Sequence, residues 1–217
     1  MNERKRVMET ITELIARYPH LSGCADRIER AADMLIDCYR SGHTLYICGN
    51  GGSAADADHI VGELMKGFLK KRPIDEALRD RLAATYGEDG ERMGRELQRG
   101  LPAVSLHSQS ALLTAFANDV DASLIYAQTL FALAEKGDVL LAISTSGNST
   151  NVVNAARLAR VLGVHVISLT GERECRLDPL SDCIIHAGDT ETYRVQELHL
   201  PVYHWLCARV EEEFYKQ

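Results

Sequence analysis

The sequence lacks the features that mark several large classes of protein. Only 5 prolines and 16 glycines occur among 217 residues, so the chain is neither collagen-like nor low-complexity. Basic residues number 24 against 31 acidic ones and form no stripe, so we expect no nucleic acid as a partner. No apolar run approaches the roughly 18 residues of a membrane helix. The N-terminus carries no apolar secretory segment, so we expect a cytoplasmic protein without a membrane partner.

Paired cysteines are also missing. The 6 cysteines are scattered along the chain and none is spaced as CxxC. A chain of this length buries enough surface to fold without disulfides, so we interpret the cysteines as reduced and mostly buried thiols of a cytoplasmic protein. Hydrophobic residues at 46% and charged residues at 25% indicate a globular chain. Its length predicts a single domain over residues 1–217.

The hydrophobic pattern changes its period along the chain. Residues 1–42 carry two helical patterns, and Gly42 follows the second as a stop signal. Five short apolar runs come next, and helical patterns separate most of them. This alternation predicts an α/β fold, a doubly wound five-stranded parallel sheet sandwiched by helices. The predicted strands are 43–49, 101–108, 138–145, 165–171 and 182–187, and the predicted helices are 53–69, 124–136, 149–162 and 192–215.

One segment interrupts this alternation. Residues 70–100 are highly charged and stand between the helix after the first strand and the second strand. A structureless loop of that length is unusual in a compact domain. The stretches DEALRDRLAATYG and DGERMGRELQRG each show a short amphipathic helical pattern. We therefore predict a helical insertion over about 70–100 that serves as a lid or as an interface element.

Two polar turns are suited to holding an anion. The turn at 49–53 follows the first predicted strand, and its glycines let a ligand approach the backbone. Ser53 is predicted to be the N-cap of the next helix, whose free N–H groups and dipole attract anions. The turn at 144–149 follows the third strand with several hydroxyl donors and a glycine. Strand ends of a doubly wound sheet share one edge, which predicts a phosphate or phosphosugar site there.

The same turns have a plainer interpretation as capped βα turns, which every α/β protein contains. Neither spells GxGxxG, so a dinucleotide is not favoured, and GxxxxGK[ST] is absent, so no nucleoside triphosphate is implied. A run of Ser, Thr, Ser, Gly, Asn and Ser exceeds what capping requires. The pattern therefore favours a phosphosugar over a purely structural turn.

Acid, base and metal candidates occur on two helices. His59 and Glu63 are four residues apart and share a face, an arrangement that is able to ligate a metal but more often forms a surface hydrogen bond. Gln196 and His204, on the C-terminal helix, are separated by about 12 Å if that helix is straight. Either a kink at Pro201 shortens this path or a neighbouring subunit supplies one group. We therefore expect an oligomeric active site, in which mixed oligomers of Glu63→Gln and His204→Ala chains regain activity.

Three motifs together resemble one known family. The stretches CGNGGSAADADHIVGEL, ISTSGNS and VQELHLPVYH are similar to those of the sugar isomerase (SIS) fold, specifically the phosphoheptose isomerase family. The likeness covers nearly the whole chain except 70–100. It implies a flavodoxin-like strand order and an aldose–ketose isomerase that converts sedoheptulose 7-phosphate to D-glycero-D-manno-heptose 7-phosphate. It also implies a homotetramer with active sites between subunits.

The resemblance further implies roles for individual residues. Glu63 and His204 match the family's proton-transfer pair. A zinc site with one Zn²⁺ per subunit is implied at His59, Glu63, Gln196 and His204. The substrate-binding positions implied are Asn50, Gly51, Gly52, Ser53, Glu63, Asn118, Asp119, Ser144, Thr145, Ser146, Ser149 and Gln196.

The chemistry of these residue types suits the implied reaction. Moving a proton between C1 and C2 through an enediol requires a general base and a general acid, which a carboxylate and an imidazole supply. Zinc would polarise the carbonyl, although a carboxylate that holds Zn²⁺ is a weaker base. The sequence departs from the family at the insertion, at Tyr193 and in the loop GERECR.

Two other functions fit the same fold. A non-catalytic SIS protein that binds the bacterial replication initiator resembles this sequence around AFAND but lacks counterparts of Glu63 and His204. A phosphosugar sensor that regulates transcription would carry an appended DNA-binding domain. Because Glu63 and His204 are both present, the sequence favours the enzyme.

Overall fold

The computed structural model of the chain describes residues 8–215, and its sheet has the predicted architecture. Five parallel strands lie in the order β2-β1-β3-β4-β5, which is the flavodoxin-like order. The strand order reverses between β1 and β3, so the carboxyl ends of these two strands form the crevice where such sheets bind ligands. The strands are β1 (Leu45–Cys48), β2 (Ala103–Ser105), β3 (Val139–Ile143), β4 (His165–Thr170) and β5 (Cys183–His186).

Eight α-helices accompany the sheet within the described residues. They are α1 (Ile11–Arg17), α2 (Ala25–Arg40), α3 (Gly52–Met65), α4 (Glu76–Glu96), α5 (Ser110–Phe116), α6 (Ile125–Leu133), α7 (Thr150–Leu162) and α8 (Thr192–Phe214). A capping box between Thr10 and Glu13 starts α1, within the first of the two helical patterns predicted over residues 1–42. The part of that pattern before residue 8 lies outside the described residues. Across residues 8–215, no helix combines the length and apolar character that crossing a bilayer requires.

The sheet separates two hydrophobic cores. Val139, Leu141 and Ile143 of β3 face a core shared with α2 and α8, whereas Leu140 and Ala142 face a core shared with α6 and α7. Since successive residues of a strand point to opposite faces, both faces of the sheet are covered by helices. This burial explains why the strands appear in the sequence as continuous apolar runs.

The insertion is helical, as predicted, and its two halves form a hairpin. Helical backbone geometry continues through α4 except at Gly87, whose φ of 57° turns the chain back. Gly90 lies against the first half of the hairpin, since a Cβ there would fall 1.8 Å from the carbonyl oxygen of Leu82. At its base, the N–H of Arg99 donates to the carbonyl of Arg72 over 2.7 Å and closes the excursion. The insertion is therefore a closed unit that leaves and rejoins the domain at one place.

A buried ion pair fixes the base of the insertion to the rest of the domain. Arg72 and Glu211 are 0% and 1% exposed, and their charged atoms lie 2.8 Å apart. The Glu211 carboxylate also accepts hydrogen bonds from the backbone N–H groups of residues 68–70. The Arg72 guanidinium donates to the carbonyls of Leu64 and Glu63 at the end of α3. These contacts fix the end of α3 against α8.

Candidate active site

The first turn of the site connects β1 to α3. Gly51 has a φ of 56° and is the N-cap of α3. A Cβ on Gly49 would fall 2.7 Å from the carbonyl oxygen of Ser53, so only glycine fits there. The prediction that Ser53 is the N-cap was wrong, because the helix begins at Gly52 and Ser53 lies buried in its first turn. The turn is thus shaped by glycine backbone rather than by a serine cap.

The second turn connects β3 to α7. Ser144 is buried, and its hydroxyl donates to the hydroxyl of Ser149 over 3.2 Å. Ser149 occupies the N-cap position of α7, but its side chain makes no capping hydrogen bond. Gly147 turns the chain with a φ of 63°, and Ser146 lies exposed beside it. The predicted residues Ser144, Thr145, Ser146 and Ser149 therefore all lie in the turn that precedes Thr150, the first residue of α7.

An amide pair ties the two turns together. Asn50 donates to Asn151 and accepts from it, and both N–O distances are 2.9 Å. The Tyr126 hydroxyl lies 2.6 Å from the carbonyl oxygen of Gly49 and 3.0 Å from Oδ1 of Asn50. The two turns thus form one rigid concave surface, which we call the cradle and define as residues 49–53 and 144–149. Sequence reasoning missed Asn151 and Tyr126.

Gln196 of α8 lies next to the cradle. A Cβ on Gly52 would fall 2.6 Å from Nε2 of Gln196, so this amide lies directly against the start of α3. The glycine at position 52 therefore makes room for the Gln196 side chain.

The predicted pair Asn118 and Asp119 lies in one turn of π-helix, Ala117–Asp121. The Asn118 amide donates to the Asp119 carboxylate over 2.8 Å, and both residues are exposed. Single π-helical turns are frequent at functional sites. The structure brings the two residues to each other, and their role in binding substrate stays a prediction.

A second cluster lies further along α3. Nε2 of His59 is 3.2 Å from Oε1 of Glu63, and Nδ1 of His59 is 3.0 Å from the hydroxyl of Tyr203. The ring of His204 lies edge-on to His59, with the centroids 5.0 Å apart, and is also in contact with the ring of Phe68. We call His59, Glu63 and His204 the acid–base cluster. Sequence reasoning predicted all three residues but missed Tyr203, which orients His59.

Burial tunes the titration of this cluster. Desolvation lowers the pKa of His204, and the nearby His59 lowers it further, whereas Glu63 opposes the shift. Burial raises the pKa of Asp56, whose Oδ1 lies 3.3 Å from the Tyr203 hydroxyl. Oδ2 of Asp56 is buried without a hydrogen-bond partner among the described residues. The lowered pKa of His204 favours its neutral form.

The acid–base cluster lies further along α3 than the cradle, and Glu63 is its most distant member on that helix. Gly52 and Glu63 are eleven residues apart on α3, a rise of about 16 Å. Gln196 lies beside Gly52, whereas His204 lies beside His59, as the predicted separation along α8 required. Glu63 and His204 both lie beside His59 in the acid–base cluster of one chain.

The donor set partly fits the predicted zinc site. Because Tyr203 holds Nδ1 of His59, Nε2 is directed toward Glu63, as in metal sites where a second group orients the histidine. Within residues 8–215 of one chain, however, no group of three or more His, Cys, Asp or Glu side chains is arranged to hold a metal ion. Gln196, the fourth predicted ligand, lies against Gly52 at the cradle.

Comparison with known proteins gives consistent matches over most of the chain. The SIS domain family profile matches residues 9–99 and 85–171. The phosphoheptose isomerase of Mycobacterium tuberculosis is 38% identical over 84% of this chain and 80% of its own length. That of Aliarcobacter butzleri is 34% identical over 86% of this chain and 85% of its own length. The solved phosphoheptose isomerase of Neisseria gonorrhoeae superposes with a TM-score of 0.72 at 28% identity, over 93% of this chain and 94% of its own.

Proposed function

We infer the chemistry of the site from the premise that this chain belongs to the phosphoheptose isomerase family of SIS-domain proteins. It is an isomerase that converts sedoheptulose 7-phosphate to D-glycero-D-manno-heptose 7-phosphate. The reaction removes a proton from C1 of the ketose, passes through an enediol and returns a proton to C2. The site must therefore bind a phosphate, bind a sugar chain and move protons on both carbon and oxygen.

We propose that the cradle binds the phosphate of the heptose. The hydroxyls of Ser144 and Ser149 lie at the N-terminus of α7, where backbone N–H groups and the helix dipole favour an anion. The amide pair between Asn50 and Asn151 holds this surface rigid before a ligand arrives. A rigid surface loses little conformational freedom on binding, which favours affinity.

We propose that Glu63 and His204 move the protons. The observation that carries this proposal is the contact of His59 with Glu63 on one side, at 3.2 Å, and with the ring of His204 on the other. Glu63 takes the proton from C1 and delivers it to C2, while His204 exchanges protons with the two sugar oxygens. Its lowered pKa favours the neutral imidazole, which has one donor nitrogen and one acceptor nitrogen.

Zinc binding is also a proposal. His59, Glu63 and His204, with Gln196, are the residues that would hold Zn²⁺. When bound, the ion supplies a Lewis acid that polarises the sugar carbonyl. Removing the metal with a chelator and adding Zn²⁺ back tests this role. Loss and recovery of activity are expected, and unchanged activity after complete metal removal contradicts it.

We propose that one complete site combines the cradle of one subunit with the acid–base cluster of another, within a homotetramer. The helical rise of about 16 Å between Gly52 and Glu63 favours a site completed by a second subunit over a site built by one chain. Sharing between subunits brings the two halves together. We also propose a cytoplasmic location, because all 6 cysteines are free thiols.

Turnover of the proposed substrate is measured directly by NMR. The protein is incubated with sedoheptulose 7-phosphate in D₂O, and the aldose product and deuterium at C2 are followed. Glu63→Gln is expected to reduce the rate by about 10²–10⁴-fold, the usual contribution of a general base. Glu197→Gln, which changes an exposed carboxylate on α8, is the matched control and is expected to retain activity. Absence of product from the wild-type protein with and without Zn²⁺ contradicts the proposal.

A further inference from the structure

The loop between β4 and β5 places a cation on the cradle. This loop contains the GERECR stretch that departs from the family pattern. Nη1 of Arg176 lies 3.4 Å from the carbonyl oxygen of Asn148 and 3.5 Å from Oγ1 of Thr150, the first residue of α7. The backbone N–H of Arg176 donates to Oδ1 of Asn148 over 3.0 Å. The guanidinium therefore lies at the N-terminus of the helix that carries the serine-rich turn.

The loop holds this position through its own contacts. The N–H of Cys175 donates to Oδ2 of Asp178 over 2.6 Å, and the other oxygen of Asp178 lies 3.0 Å from Nε2 of His186. On its other side, Cys175 lies directly over Gly147, where a Cβ would fall 2.1 Å from its sulfur. The placement of Arg176 thus follows from packing of the loop onto the cradle.

The dipole of α7 opposes a cation at this position unless an anion joins it. The N-terminus of a helix carries a partial positive charge, so a guanidinium there is repelled by roughly 0.3–1 kcal/mol in exposed geometry. An anion between the two positive groups turns the repulsion into two attractions. The chain as a whole has a net charge of −7, so a phosphate dianion needs local positive charge to approach this surface.

We propose that Arg176 binds the phosphate group of the substrate and selects phosphorylated over neutral sugars. This proposal rests on the proposed binding of phosphate at the cradle and adds the residue that supplies its counter-charge. Arginine suits the role because its planar guanidinium presents several N–H donors in a fixed fork that matches phosphate oxygens. Nη1 faces Asn148 and Thr150, and within residues 8–215 the other donors of the guanidinium are left for a ligand.

Three variants of the holoenzyme test whether Arg176 binds phosphate or only supports the loop between β4 and β5. Arg176→Gln removes the charge and keeps a hydrogen-bonding side chain, and Arg176→Lys keeps the charge. Arg173→Gln removes an exposed charge from the same loop and is the matched control. The measurements are the KM and kcat for sedoheptulose 7-phosphate and the affinity for inorganic phosphate.

Arg176→Gln is expected to raise KM and to weaken inorganic phosphate binding about 10-fold or more, the effect of losing one charge-assisted hydrogen bond. We expect KM to rise more than kcat falls. The KM and the phosphate affinity of Arg176→Lys are expected to lie between those of wild type and those of Arg176→Gln. Without phosphate, Arg176→Gln unfolds at the same or a slightly higher temperature, because the repulsion at the helix end is gone. Arg173→Gln leaves all of these values within twofold of wild type.

The possible failures of this test have different meanings. If Ser149→Ala weakens phosphate binding while Arg176→Gln does not, the cradle binds phosphate and the role of Arg176 is overturned. If Arg176→Lys is as weak as Arg176→Gln and both lower the unfolding temperature without phosphate, Arg176 only braces the loop and the proposal is again overturned. If neither Ser149→Ala nor Arg176→Gln changes the phosphate affinity, the proposed phosphate site itself is wrong.

Discussion

The hydroxyl of Tyr203 lies 3.0 Å from Nδ1 of His59, across 144 residues of sequence. This contact joins α8 to α3 and fixes the ring of His59, whose other nitrogen lies beside Glu63. His204 is the next residue on α8, and its imidazole lies against the same ring. One tyrosine therefore orients the residue that stands between the two proposed proton-transfer groups.

Tyr203→Phe is expected to lower activity about 10–100-fold while leaving the fold intact, because the ring stays and only the hydroxyl that orients His59 is lost. The measurement is kcat/KM for sedoheptulose 7-phosphate together with the unfolding temperature. Tyr193→Phe removes a hydroxyl from an exposed tyrosine of the same helix and is the matched control. Equal activity of the two variants contradicts the orienting role.

Stability is expected to fall as the pH drops below about 6.5. Burial lowers the pKa of His199 to about 4, and its Nε2 lies 3.2 Å from the carbonyl oxygen of Thr170. In the unfolded chain the same imidazole has a pKa of about 6.5, so between these values the unfolded state binds a proton that the folded state excludes. The folded state loses about 3 kcal/mol from this group across that range.

Urea unfolding at several pH values measures this dependence. His199→Gln keeps an N–H donor without a titrating ring, so its stability is expected to change less between pH 6.5 and 4 than that of wild type. His20→Gln, at an exposed position, should keep the wild-type slope. A wild-type slope in His199→Gln contradicts the assignment.

Breaking the buried ion pair is expected to be costly. Glu211→Gln leaves the fully buried Arg72 without its counter-charge, and losing one partner of such a pair destabilises a protein by about 3–5 kcal/mol. Arg95→Ala breaks an exposed pair with Glu96 and should cost less than about 1 kcal/mol. Denaturant unfolding of both variants measures the two losses, and equal losses contradict the role given to burial.

The sequence predicts the parts of this protein that depend on local pattern. Apolar runs such as β3, buried on both faces, identify the strands, and Gly87 divides the insertion into two helical halves. The order of strand and helix also places both cradle turns at one edge of the sheet. These features depend on residues that are neighbours in the sequence.

Contacts between distant segments were not predictable in the same way. Arg72 belongs to a charged run typical of a solvated surface, yet it is buried against Glu211. The two residues are 139 positions apart, so no local pattern indicates their pairing. Tyr126 and Asn151 contact the turn at 49–53 from other elements. The hydrophobic periodicity of the sequence does not indicate these contacts. Ser53 matched the preferred cap residue, but the positive φ of Gly51 started the helix earlier.

The proposed sharing of the site between subunits decides where variants complement each other. Glu63 and His204 lie in one cluster, so chains that carry Glu63→Gln and chains that carry His204→Ala lack the same half of the site. A chain with Ser144→Ala and Ser149→Ala lacks the other half. The mixture of Glu63→Gln with His204→Ala, which the sequence alone favoured as the complementing pair, therefore becomes the negative control.

The most direct measurement mixes Glu63→Gln chains with Ser144→Ala/Ser149→Ala chains, reassembles them and follows turnover of sedoheptulose 7-phosphate. Random assembly leaves both halves intact in about a quarter of shared sites, so recovery of up to about a quarter of wild-type activity is expected. Mixtures of Glu63→Gln with His204→Ala should stay inactive. No recovery in the first mixture, with mixed oligomers shown to form, would contradict a site built from the cradle of one chain and the acid–base cluster of another.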